Sequence, residues 1–136
     1  MKYLRCDNFL NMEKDTILYV EDDKALRVIF SMLLGIRYNV NQAVSVDEAI
    51  EKLNKNCSYD VIISDWKCPN TNDGQRLLEV AKENDILNKL IMLSANKSKA
   101  KIARDYGVYF LEKPVIYEDI ESIIEKINSA SLKYSS

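Results

Sequence analysis

The sequence predicts an α/β protein built on a parallel sheet, and three observations lead there. Short apolar runs alternate five times with segments of helical periodicity, the pattern of repeated strand–helix units. Runs such as VIIS and LIMLS are apolar on both faces, as expected of strands covered by helices on both sides. Polar residues close the runs: Glu21 and Asp22, Asp65, Ser94 and Lys113 each stand at a run end. In an open parallel sheet those ends converge on one edge, where such folds hold their chemistry.

The five strands are expected at 16–20, 38–42, 60–64, 89–93 and 108–111. The first helix carries Leu26, Ile29, Phe30, Leu33 and Leu34 at helical spacing, and Gly35 stands where a left-handed C-terminal cap is wanted. The second opens on Ser45-Val-Asp-Glu48, a capping-box pattern, and buries Ala49, Ile50 and Leu53. The third follows Asp73-Gly74 and buries Leu77, Leu78 and Ala81. Between Ser94 and Tyr106 only Ala100, Ile102, Ala103 and Tyr106 are available for a core among many Lys and Ser, which predicts a short, mobile helix. The last helix turns Ile116, Ile120, Ile123, Ile124 and Ile127 inward and Glu118, Asp119, Glu121, Glu125 and Lys126 to water.

A chain of 136 residues with 47% hydrophobic content is one domain with enough apolar surface for a continuous core. Residues 1–12 lack periodicity and read as a poorly ordered extension, with Met12-Glu-Lys-Asp as a natural start for the domain; 13–130 form the globular part and 131–136 a tail. The formal charge of −2 leaves no basic stripe, so a nucleic acid is not expected as a direct partner. Three cysteines without a CxxC pair suit neither a disulfide framework nor a zinc site and read as reduced thiols. No run has signal-peptide or membrane-span length, so no membrane partner is expected and the location is read as cytoplasmic. The chain has no histidine, so its chemistry must work through carboxylates, hydroxyls and lysines.

Glu21, Asp22 and Asp23 follow the first strand, and Asp65 ends the third. With the first strand central, these carboxylates crowd together. Two such charges about 4 Å apart repel by ~4 kcal/mol at an effective dielectric near 20, so the site calls for a proton or a cation. Mg²⁺ suits it, as a hard ion that takes one or two carboxylates and keeps its waters. Read alone, the acidic run is also a solvated loop capping the first helix, a job that falls to Asp23 in either case. Asp65 is either a turn residue before Cys68-Pro69-Asn70 or a nucleophile that takes a phosphoryl group as an acyl phosphate. The second reading needs donors for the phosphoryl oxygens, and the Ser94 hydroxyl and Lys113 ammonium supply them.

The motifs ILYVEDD, DVIISDWKCP, LSA and FLEKP, in this order and spacing, resemble the receiver domain of response regulators, the aspartate-phosphorylated module of two-component signalling. The resemblance runs from about Asp15 to Ser129. It implies a three-layer, doubly wound (βα)5 flavodoxin-like fold with strand order 2-1-3-4-5. It also implies a single-domain signalling protein, not an enzyme, though one that assists its own phosphorylation and dephosphorylation. By position, Glu21, Asp22 and Asp65 would hold Mg²⁺ with the backbone carbonyl of Lys67, Asp65 would be the phosphoacceptor, and Ser94 and Lys113 would contact the phosphoryl group. Phe110 stands at the family's switch-aromatic position, and the Lys113-Pro114 bond is often cis in relatives. The implied partners are a histidine kinase or histidine phosphotransfer protein as donor, and a downstream protein on the face made by the fourth helix, fifth strand and fifth helix. If the chain is complete, its length leaves output to another molecule. The sequence departs from the pattern by one extra residue in KCPNTNDG and by a shortened stretch from Ser94 to Lys113.

Of three rival readings, the flavodoxin-like one fails. A haloacid-dehalogenase-type aspartyl-phosphate hydrolase uses similar groups, but Lys67 occupies its second acidic position. A flavodoxin-like cofactor binder needs a phosphate cradle where Glu21-Asp22-Asp23 would repel phosphate. A receiver-like docking module that is never phosphorylated would keep the fold alone.

Overall fold

A computed structural model describes residues 15–56 and 58–135, with side chains through residue 130. The expected extension at 1–12, Cys6 and Cys57 lie outside the described residues. Five parallel strands, β1 (Thr16–Val20), β2 (Asn39–Ala43), β3 (Val61–Asp65), β4 (Leu90–Ser94) and β5 (Tyr109–Glu112), form one sheet in the order β2-β1-β3-β4-β5. They alternate with α1 (Lys24–Gly35), α2 (Val46–Lys55), α3 (Asp73–Glu83), α4 (Lys99–Tyr106) and α5 (Tyr117–Ser135).

The sheet separates two apolar layers. Along β1, Leu18 and Val20 join a cluster with α2, α3 and α4 through Leu53, Leu77, Leu78 and Ala103. Ile17 and Tyr19 point to the other side, where Leu34 of α1 and Ile120, Ile123, Ile124 and Ile127 of α5 cover them. Each buried Leu or Ile contributes ~1.5–3 kcal/mol, so β3 and β4, buried along their whole length, anchor the molecule. Edge strand β2 is mostly exposed and carries Asn39, Asn41 and Gln42, which discourage pairing with another sheet.

Four strands start one residue later than periodicity suggests. The residue in front closes the preceding turn in three of them: the amides of Tyr38, Lys89 and Val108 donate to the carbonyls of Leu34, Ile86 and Ala103. Asp65 and Ser94 are consequently the last residues of their strands, held by the ladder itself.

The helix caps follow local chemistry. Asp23 accepts from the Leu26 amide at 3.0 Å. Ser45 accepts from Glu48 N at 3.1 Å, while the Glu48 carboxylate accepts from Val44 N at 2.7 Å, so the box forms with its return bond one residue earlier than usual. Gly35 departs from expectation: it is the final residue of α1, followed by Ile36 in right-handed conformation. The Arg37 and Tyr38 amides satisfy the Leu34 carbonyl, so no left-handed residue is required. Gly107, at φ 76°, takes that role after α4.

Two apolar stripes are narrower than the sequence suggests. On α1 only Leu34 is fully buried and Phe30 is partly packed; Val28, Ile29, Met32 and Leu33 remain exposed. Ile116 is 58% exposed because α5 begins only at Tyr117, and its carbonyl instead accepts from the Asp119 amide. At its other end α5 continues past Ala130, where a tail was expected, through Ser135. α4 is short, as expected, at eight residues.

Candidate functional site

The ladder dictates which run ends meet. Val20 pairs with Ser64, Asp65 with Leu93, and Ser94 with Glu112, so Glu21, Asp65, Ser94 and Lys113 line one side of the sheet's C-terminal edge. The Lys113 amide donates to the Ser94 carbonyl at 2.9 Å, and the Trp66 amide to the Leu93 carbonyl at 2.7 Å. These bonds carry the sheet's register into the loops. Arg27 of α1 donates to the Glu21 carbonyl at 2.9 Å, pinning the turn that holds the acidic pair.

The result is a cleft of about 610 Å³ lined by Glu21, Asp22, Asp65, Lys67, Ser94 and Lys113. One carboxylate oxygen each from Glu21, Asp22 and Asp65 lies within 4.8 Å of the others. Lys113 Nζ sits 2.9 Å from Asp65 Oδ2 and 3.8 Å from Glu21 Oε1. Ser94 is buried, and its Oγ accepts from the Asn96 amide at 3.0 Å. Phe110 stands apart from this cleft, half-buried on β5 against the layer formed by α2, α3 and α4.

Three carboxylates and one ammonium leave negative charge in excess. At 4.8 Å and an effective dielectric near 20, each carboxylate pair repels by about 3 kcal/mol. Burial pushes the Glu21 carboxyl up to about 7, and the charge of Asp65 adds to it against the Asp23 amide bond and Lys113. Asp65 is also raised, chiefly by burial, with Lys113 opposing. Burial alone would lower Lys113, but its hydrogen bond to Asp65 and the surrounding acids outweigh that and raise it. The donor set is all hard oxygen, clustered and electrostatically unsatisfied, which fits Mg²⁺.

Several residues at the site were not legible as functional in the sequence. Lys99 Nζ lies 5.6 Å from the centre of the Trp66 ring, and Thr71 and Asn96 join both in the cleft wall. Only their positions after strand ends hinted at this. Gly74 packs against the buried indole: a Cβ there would come within 2.6 Å of the Trp66 ring. The Asp73 carboxylate accepts from the Asn70 amide and Arg76, both at 2.8 Å, which ties the loop after Asp65 to the start of α3. Both Cys68-Pro69 and Lys113-Pro114 are cis.

The fold has counterparts among solved structures. Comparison with curated proteins gave no match. A response regulator receiver domain from Clostridium thermocellum is 28% identical with a TM-score of 0.74, covering 87% of this chain and 98% of that one. A chemotaxis protein of Vibrio cholerae is 25% identical with a TM-score of 0.70, covering 84% and 98%. A Francisella receiver domain shares the fold at TM-score 0.77 and 24% identity, covering 87% and 99%. The family model for the response regulator receiver domain matches residues 17–127, a span that runs from the central strand through the isoleucine stripe of α5 and takes in every candidate site residue. With strand order, acidic cluster and family match in agreement, the chain belongs to the response regulator receiver domain family of two-component signalling.

Proposed function

We propose that Asp65 accepts a phosphoryl group from a histidine kinase or a histidine phosphotransfer protein. The observation that carries this reading is the placement of the Asp65 carboxylate at a strand end, 2.9 Å from Lys113 and beside Glu21 and Asp22. An Asp65 oxygen attacks phosphorus, the P–N bond to the donor imidazole breaks, and its electron pair returns to the imidazole nitrogen. These 136 residues contain no histidine, so the donor imidazole lies outside them.

Mg²⁺ would be held by the Glu21, Asp22 and Asp65 carboxylates with the Lys67 carbonyl, and when bound it supplies positive charge to the incoming phosphoryl oxygens. Lys113 orients Asp65 before transfer and then pairs with the phosphoryl group. The Ser94 hydroxyl, whose oxygen accepts from the Asn96 amide, retains its O–H proton to donate to a second oxygen. That local charge event has a packing readout. Ser94 moves toward the phosphoryl group, and Phe110 turns into the space behind it. The face formed by α4, β5 and α5 repacks and engages a downstream protein. The helix in this face, α4, has eight residues. The setting of this exchange is the cytoplasm; among the described residues, no helix is long and apolar enough to cross a membrane.

The test uses the intact chain with Mg²⁺ and a small acyl phosphate. A single phosphoryl adduct in the intact mass, absent from Asp65→Asn, is expected. No adduct would indicate a docking module that is not phosphorylated, and continuous phosphate release from added phosphoesters a hydrolase.

A further inference from the structure

A second cavity, of about 370 Å³, lies behind the acidic cleft between α1, the end of the sheet and the start of α5. Its body is apolar, walled by Tyr19, Leu26, Phe30, Leu93, Val115 and Ile120. The Tyr19 and Phe30 rings meet there at a centroid distance of 6.3 Å, tilted by 55°. Only Glu21 and Lys113 bring charged groups to it. A chamber of this size, mostly apolar and with few converging polar groups, has the make-up of a small-molecule site.

The charges at its inner end are unequal. The Lys113 ammonium is engaged by Asp65 at 2.9 Å and stands 3.8 Å from Glu21 Oε1, beyond hydrogen-bond distance. Glu21 is 2% exposed, and its other oxygen accepts from the Asp23 amide at 3.2 Å. A buried carboxylate with that partnership favours an added cationic donor and repels a carboxylate. Phenol and aromatic walls suit a flat ring, and Pro114 and Val115 also line the cavity.

We infer that this cavity is a binding site for a small arylalkyl amine, with the ring between Phe30, Val115 and Ile120 and the ammonium at Glu21. Glu21 also belongs to the candidate cation cluster. If the phosphorylation reading holds, an amine at Glu21 opposes Mg²⁺ there, and by linkage Mg²⁺ opposes the amine to the same degree. The cavity would then give the phosphorylation site a small-molecule input.

The experiment is a backbone-amide NMR titration of the full chain, without metal or phosphodonor, so that failure of the phosphorylation reading does not bear on it. Tryptamine is the probe, with 3-methylindole and indole-3-acetate as neutral and anionic comparators. Shift changes should centre on Tyr19, Phe30, Leu93, Val115 and Ile120, with tryptamine binding about tenfold more tightly than 3-methylindole and indole-3-acetate weakest. Glu21→Gln should reduce tryptamine to the level of 3-methylindole. Val115→Phe should fill the chamber and abolish the shifts while the remaining spectrum keeps its dispersion. Shifts centred elsewhere, no shifts with any probe, equal binding of amine and acid, or tryptamine binding unaffected by Val115→Phe would each overturn the site.

Discussion

Glu21 shows how a single buried carboxylate sets the pH behaviour of the metal-free protein. Its folded pKa, raised from 4.5 to about 7, and the raised Asp65 mean that the folded state binds more protons than the unfolded state in that window. The contribution of these two groups to stability is therefore greatest below the unfolded value and is lost as pH rises through the folded one. The melting temperature without metal should fall from pH 5 to pH 8, and Mg²⁺ should flatten the profile by neutralising the ionised cluster. A metal-free melting temperature that climbs over that range would contradict the electrostatic picture. Asp65→Asn removes one charge from the cluster and should raise metal-free stability near neutral pH while weakening Mg²⁺ affinity, readable by thermal melting and by Trp66 fluorescence. At this scale the sequence was highly legible. Glu21, Asp65, Ser94 and Lys113 each interrupt or follow an apolar run, and strand-end convergence brought them together. The Lys99–Trp66 contact was not legible, because nothing in local periodicity reports which loop side chains stack on each other.

At the level of elements, α1 carries the largest difference between periodicity and packing. The α1 stripe is helical in spacing, yet the sheet and α5 leave room for only its inner edge, so Ile29 and Leu33 of that stripe stay in solvent. Met32→Lys and Ile36→Lys, at 69% and 73% exposure, should each change stability by no more than about 0.5 kcal/mol in denaturant unfolding. A loss of several times that would mean the face is covered. Gly74 presents the opposite case. It is the second residue of α3, where alanine would ordinarily favour the helix, but the indole of Trp66 fills the space a methyl group needs. Gly74→Ala should destabilise by about 1–3 kcal/mol through overpacking and shift the emission of Trp66. Unchanged stability and emission would mean that the indole moves freely. Helix positions were readable from spacing and caps, whereas strand starts were displaced by one residue because the hydrogen bonds that close preceding turns leave no mark on apolar periodicity.

For the whole molecule, two apolar layers hold five strand ends rigid while the loops beyond them carry polar groups. Parallel pairing and helix placement followed from alternation and from two-sided apolar runs, while the strand order 2-1-3-4-5 came from the family resemblance. The second cavity did not, since it arises from the space α1, α5 and the Pro114 turn leave between them, a property of tertiary packing alone. Lys113 links the two chambers: its ammonium faces Asp65 while the residue lines both walls. Lys113→Ala should therefore slow phosphoryl transfer by about a hundredfold or more, in the range of a lost electrostatic contact to the reacting group, without loss of fold by circular dichroism. Near-normal transfer would remove Lys113 from the reaction.

The central claim is that Asp65 is the phosphoacceptor of this receiver domain. Its most direct test is to phosphorylate the protein with a small acyl phosphate and Mg²⁺, trap the acyl phosphate by reduction, and locate the modified residue by peptide mass mapping. One modified residue is expected, Asp65, lost in Asp65→Asn and dependent on the divalent cation. Modification elsewhere, or persistent labelling of Asp65→Asn at the wild-type rate, would contradict it.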